Sequence, residues 1–260
     1  MTKRICIVLA LASCIAIADS NRMAHERLKP ENSPPTLEEV SRLGYALGYS
    51  PEKRQPLWVA YRLRREDIER KLVERDESFK LDFAVSNSPD KYDYFGSGYD
   101  RGHMAPARDM EYSKERMEDS FYMSNMSPQL PYINRFKWKD IEDFTRKAAI
   151  KFGEIYVITG PIFEGNEGSL PSKEKYIENE KGNIPIPMAF YKVLYTKRYG
   201  GMMLSFMVYN NDFDNGDWEK TAPHKTAVLE SLTGLRFFPD VDADGSLGLR
   251  DAYDINMWWL

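Results

Sequence analysis

The chain has 260 residues, of which 42% are hydrophobic, 13% aromatic and 29% charged. That composition excludes a disordered polymer and suits one large domain or two small ones, with a core that needs no disulfide or structural metal. The formal net charge is −4 and grows more negative without Lys3 and Arg4, so a basic surface over the whole molecule is excluded and any polyanionic partner must be met by a local groove.

Met1 to Arg4 is a short basic start, and Ile5 to Ala18 is an uncharged apolar run too short to span a bilayer. With Ala16 to Ala18 (AIA) as a small-x-small cleavage site, residues 1–18 read as a signal peptide. Leu11 to Cys14 (LASC) overlaps it as a lipobox, in which Cys14 would become a lipidated N-terminus. Both alternatives predict export, the protein being secreted or periplasmic in one and lipid-anchored to a membrane in the other. Cys6 and Cys14 are the only cysteines, and both lie in this leader, so no disulfide is predicted beyond it. Residues 19–36, with Pro30, Pro34 and Pro35, read as a flexible linker, and residues 37–260 as the folded domain.

Pro56 to Leu63 alternates aromatic and β-branched residues as a strand does. The charged stretch 65–75 predicts a short helix or a turn. Ser113 caps a helix running to Phe121, and Asn134 to Lys151 carries the clearest helical spacing. Glu154 to Thr159 is a buried strand, with Gly160-Pro161 as its stop. Met188 to Tyr195 and Met202 to Tyr209 are two further strands joined by a turn at Arg198 to Gly201. Trp218 to Leu232 is a helix with Gly234 as its stop signal. Strands outnumber helices and cluster in the chain, so the fold class is α+β, with a largely antiparallel sheet core flanked by helices.

Two strings carry chemistry. The first is Tyr99 to Ala107 (YDRGHMAPA). His103 is suited to moving protons near neutral pH, Arg101 offers a planar fork for phosphate, and Gly102 permits close backbone approach to a ligand. The second runs from Ser124 through Trp138 to Arg146. On one side of its helix Asn134, Trp138, Glu142 and Arg146 follow one another, beside an apolar stripe of Ile141, Phe144 and Ala148. An amide, a carboxylate and a guanidinium in a row suit a hard cation and a phosphate. Each string alone has a plain alternative: a structural histidine for the first, and an amphipathic helix with a Glu142–Arg146 pair for the second.

Together the strings resemble the DNA/RNA non-specific endonuclease family, the ββα-metal nucleases. Asp100 to His103 (DRGH) matches one family segment, and Ser124, Asn125, Pro128, Gln129, Asn134, Trp138 and Glu142 match another. Further likeness in Leu57 to Val59, Thr159 to Phe163, Pro187 to Lys192 and Leu232 to Phe238 extends it over roughly residues 40 to 240. The resemblance implies an enzyme that hydrolyses phosphodiester bonds of DNA and RNA, built on a ββα-metal (His-Me finger) motif and leaving 5′-phosphates. By position, it implies His103 as general base. It makes Asn134 the one direct protein ligand of Mg²⁺, with Mn²⁺ as a substitute. Glu142 then holds a water of the ion's shell, and Arg101 and Arg146 meet the phosphate charge. Asp100 falls on the substrate side with Asn125 and Gln129, these two as positioning residues, and by a looser match, in which Lys53 competes, Arg54 joins them.

Other readings stay open on sequence. A phosphodiesterase for nucleotides or small phosphoesters would use the same groups, and a non-catalytic nucleic-acid-binding surface protein would share the fold without needing His103. Asp240 to Asp251 has the spacing of a Ca²⁺ loop, but Asp stands at its twelfth position and an acidic turn explains it as well. His25 and His224 lie outside both strings and read as exposed or structural.

Overall fold

The computed structural model describes residue 25 and residues 27–163, 175–211, 217–240 and 255–258. The leader read over residues 1–18, with Cys14, lies outside these residues, as does nearly all of the Asp240 to Asp251 stretch. Among the described residues no helix is long and apolar enough to cross a membrane.

The scaffold is one seven-stranded sheet built from β1 (Glu38–Ser41), β2 (Ala46–Ser50), β3 (Gln55–Arg64), β6 (Glu154–Ile162), β9 (Ala189–Thr196), β10 (Met202–Tyr209) and β11 (Pro223–His224), hydrogen-bonded in that order with every pairing antiparallel. Both faces are covered, and the pleat shows how. In β3, Val59, Tyr61 and Leu63 point into one core while Trp58 and Ala60 point into the other. The first core is closed by the long helix α3 (Trp138–Phe152), through Ile141, Phe144 and Ala148. The second is closed by α5 (Thr226–Thr233) and the segment behind it, through Leu229, Leu235 and Phe237.

The remaining elements are α1 (Arg65–Glu69), α2 (Lys114–Ser120) and α4 (Trp218–Thr221), with two small ladders outside the main sheet: β4 (Asp100–His103) on β5 (Met126–Gln129), and β7 (Tyr176–Ile177) on β8 (Ile184–Pro185). Ser113 caps α2 by accepting from the Arg116 backbone N–H, as its spacing predicts.

Several expectations need correction. β6 does not stop at Gly160-Pro161: it runs on to Ile162, because Pro161 sits opposite Phe190 within the ladder. The helix predicted over Trp218 to Leu232 is broken, since Pro223 and His224 pair with β10 and only Thr226 to Thr233 resumes the helix. The stretch read as a linker is tied to the domain before residue 37. Glu31 and Arg236 exchange backbone hydrogen bonds of 2.9 and 3.0 Å, and Leu28 packs on the second core.

Candidate active site

The two chemistry-bearing strings meet in one ββα unit. β4 pairs with β5 so that His103 faces Met126, Gly102 faces Ser127 and Asp100 faces Gln129. The chain then turns into a π-helical segment, Ile133–Lys137, that flows into α3. The extra residue of a π turn shifts the side-chain phase and is frequent at functional positions. Here it occurs at Asn134, where sequence spacing predicts an ordinary α-helix.

His103 is 8% exposed and lies edge-on to Phe121, with ring centroids 4.9 Å apart at 87°, and beside Phe79 at 5.6 Å. Burial, then the charges of Arg75 and Arg101, lowers its pKa to about 3, so the ring is neutral near pH 7. Its Nε2 is sealed without a partner, which leaves Nδ1 to meet the cleft.

Asn134 donates from Nδ2 to Asp100 Oδ2 at 2.9 Å, and Arg135 grips the same carboxylate with two hydrogen bonds of 2.8 and 2.7 Å. Burial works against the Asp100 charge, but the Arg135 and Asn134 hydrogen bonds outweigh it and hold the carboxyl below its usual range. With its amide nitrogen committed to Asp100, Asn134 has its carbonyl oxygen free to serve as a ligand. Two turns along, Glu142 is half-buried, and burial raises its pKa against the pull of Lys192 and Arg146.

These groups line a cleft of about 300 Å³ that also carries Arg75, Arg101, Arg108, Arg135, Lys139 and Arg146. Six cations and one carboxylate line this local basic groove, with Asp100, Asp109 and Asp143 just outside the lining pairing with Arg135, Arg146, Arg108 and Lys139. A larger neighbouring cleft of about 640 Å³ shares Arg108 and Arg146 but carries Glu111, Asp140, Asp143 and Glu219, and no histidine. Among the described residues no cluster of three or more His, Cys, Asp or Glu could hold a metal. The fitting donor set is therefore sparse: one amide oxygen with a carboxylate behind it, which suits a hard cation that keeps most of its water.

The family model for DNA/RNA non-specific endonucleases matches residues 25–244. This chain belongs to that family. It is 32% identical to human mitochondrial endonuclease G, over 77% of this chain and 69% of the relative, and 34% identical to Nuclease C1 of Cunninghamella echinulata var. echinulata, over 78% and 83%. A solved complex of EndoG with EndoGI superposes with a TM-score of 0.70 at 28% identity, covering 79% of this chain and 87% of that one. The chain is thus a nuclease of the endonuclease G type, a metal-dependent phosphodiester hydrolase whose substrates are nucleic acids, on a ββα-metal fold.

Within this nuclease fold His103, Arg101, Asn134, Glu142 and Arg146 come together in the cleft. Four other residues do not behave as substrate contacts. Arg54 is 2% exposed and held by Asp93 at 2.7 Å, the Asn87 carbonyl and the Gly182 carbonyl, so it ties loops together. Asn125 is fully buried and spends its amide on both backbone groups of Ala105 and on the Ser120 carbonyl, fixing the chain just after His103. Gln129 is buried under Gly102, where any side chain would overlap it, so Gly102 makes room for Gln129 rather than for a ligand. Asp100 acts on Asn134 and Arg135, not on substrate. Arg146 is itself clamped, by Asp109 at 2.7 Å and Asp143 at 2.8 Å.

Arg75, Arg108, Arg135 and Lys139 were not singled out by sequence reasoning. Arg135 and Lys139 had a usable signal, being on the same helical segment as Asn134. Arg108 had one as well, since it directly follows the Tyr99 to Ala107 string, whereas Arg75 is brought in by long-range folding. His224 is half-buried, with Nδ1 2.8 Å from the Ala222 carbonyl, and His25 is buried, so both are structural.

Proposed function

We propose that this nuclease uses Mg²⁺, with Mn²⁺ as a substitute, to cut both DNA and RNA by water attack, leaving 5′-phosphates. The observation that carries this reading is the Asp100 clamp, which commits the Asn134 nitrogen and frees its oxygen in the cleft that holds His103. A neutral His103 takes a proton from the attacking water as the new bond to phosphorus forms. The bond to the 3′-oxygen breaks, and that oxygen acquires a proton from solvent. When bound, Mg²⁺ supplies positive charge beside the leaving 3′-oxygen. Arg101 holds the phosphate, and Glu142 accepts hydrogen bonds from the cation's water shell.

The weak basicity of His103 fits this scheme. After burial, the causes of its low pKa are Arg75 and Arg101, which share its cleft. A phosphate seated against them offsets their charge and removes their share of the lowering, while burial, the larger cause, remains. Phosphate contacts carry no base information, which supports low sequence preference. An open cleft lined by cations on several elements favours polymer over a small phosphoester.

The test is digestion of plasmid, single-stranded DNA and RNA with Mg²⁺ or EDTA, followed by end-labelling of the products. Cleavage of all three with Mg²⁺, none with EDTA, and 5′-phosphate ends is the expected result. Undiminished cleavage in EDTA, or 3′-phosphate ends, overturns the mechanism.

A further inference from the structure

The helical half of the site carries two rings that neither the core nor the proposed chemistry uses. From Ile133 onward the large apolar side chains Ile133, Trp138, Ile141 and Phe144 all enter the first core. Tyr132 and Phe136 do not. They are 42% and 58% exposed, and their rings lie against each other with centroids 5.4 Å apart at 35°. Scattered single apolar residues on a surface need no explanation, but a contacting pair of exposed rings beside a substrate cleft calls for one.

Helix geometry places the pair on the rim of the groove. At about 100° per residue, and less through the π turn, the order around the helix from Asn134 is Arg135 with Lys139, then Tyr132 with Phe136. Asn134, Arg135 and Lys139 all line the cleft, so the rings stand next to its cations. Arg135 uses Nε and Nη2 on Asp100, which leaves Nη1 to donate to a phosphate. Lys139 pairs with Asp143 at 3.6 Å. Asp140, one turn beyond Phe136, lines the neighbouring cleft instead. A ligand on this rim must offer an anion toward Arg135 and a flat apolar face toward the rings. A nucleotide offers both.

We propose that Tyr132 and Phe136 form a stacking platform for an unpaired base of the substrate strand, with a phosphate of that strand on Arg135. The inference rests on the reading of the His103 cleft as the substrate groove. Phe136, the more exposed ring, meets the base, and Tyr132 braces it. Bases inside a duplex are already stacked on their neighbours, whereas an unstacked base can be laid on an aromatic side chain. The platform therefore serves single-stranded DNA and RNA. Every base has a π face, so stacking selects the state of the strand and not its sequence. The pair touches no reacting atom, and its effect should appear in substrate affinity alone.

The experiment compares two probes, a short single-stranded thymidine oligonucleotide and the same phosphate backbone with abasic sugars in place of the thymidines. Binding is followed by fluorescence anisotropy in a His103→Ala background with EDTA, so that the probes survive. The thymidine probe should bind about 5- to 100-fold more tightly than the abasic one, the range for base–aromatic stacking. Adding Phe136→Ala should abolish that advantage while the abasic affinity barely changes. Phe136→Trp should keep the advantage, and Phe136→Leu, apolar but without a flat ring, should lose most of it. Both rings are exposed, so these variants should keep the fold, which circular dichroism checks. A thymidine advantage that survives Phe136→Ala, or an equal loss on both probes, overturns the platform. So does a Phe136→Ala variant that binds both probes like its parent but loses self-association, which would make the pair a contact between copies of this chain. Failure of the parent protein to bind either probe would instead overturn the groove reading on which the platform stands.

Discussion

The two halves of the ββα unit prepare their groups in opposite ways. The β4–β5 ladder sets His103 by removing water: rings of Phe79 and Phe121 surround it, and burial with nearby arginines keeps it neutral. The helical half sets its groups with polar partners: the Asp100 carboxylate aims the Asn134 amide, and Asp109 and Asp143 clamp Arg146. A base must be uncharged before it acts, and an apolar cage achieves that with no partner to give up. A metal ligand must be aimed, and only a directional hydrogen bond does that. The difference shows why the residues that matter are spread over many chain positions, since each half needs its own kind of support.

The largest expected effect lies in the ladder. His103→Ala should lower the cleavage rate by about 10²- to 10⁴-fold, the usual contribution of a general base, while the protein stays folded. Supercoiled plasmid relaxation, with circular dichroism on the same sample, measures both. A folded variant cutting near the wild-type rate would remove His103 from the chemistry and leave the ladder a merely structural half.

The helical half should yield a smaller loss. Asp100→Ala removes no cleft-lining residue but frees both the Asn134 amide and the Arg135 guanidinium to move. A drop of about 10- to 100-fold at limiting Mg²⁺ is expected, with recovery as Mg²⁺ rises, because the aim of the Asn134 ligand is lost and not the ligand itself. A loss that no concentration of Mg²⁺ relieves would place Asp100 among the substrate contacts after all.

How far the sequence reached follows the same division. β9, β10 and the capped α2 were legible because alternation and capping are local. The histidine and the Asn134–Glu142–Arg146 row were legible because residue type and helical spacing state their chemistry. The π turn was not, since nothing in the INRFK stretch marks the added residue. Nor was the break at Pro223, where pairing with β10 overrides the helical pattern of Trp218 to Leu232. For Arg54, Asn125 and Gln129 the sequence leaves the role open: a polar side chain beside a catalytic string can serve the scaffold as readily as the substrate, and only burial separates the two. The groove's cations come from β4, the segments around it and the helical half, so net charge concealed them.

The smallest effect distinguishes the cage from the chemistry. His103 has its pKa lowered to about 3, from an ordinary value of 6.5, chiefly by burial. Below 6.5 the unfolded chain takes up a proton there that the folded protein refuses. The stabilising contribution is therefore complete above pH 6.5 and is lost as pH falls toward 3. At pH 5 the loss amounts to at most about 2 kcal/mol, or several degrees in melting temperature for a chain of this size. His25, also lowered to about 3 with burial as the main cause, adds a loss of the same sign, so the wild-type curve alone is ambiguous. His103→Asn removes one titration and keeps the other. The variant's deficit in melting temperature relative to wild type should then shrink between pH 7.5 and pH 5, followed by differential scanning fluorimetry without metal. Parallel curves would mean that His103 titrates alike in the folded and unfolded chain, and the dry cage would lose its part in keeping the base neutral.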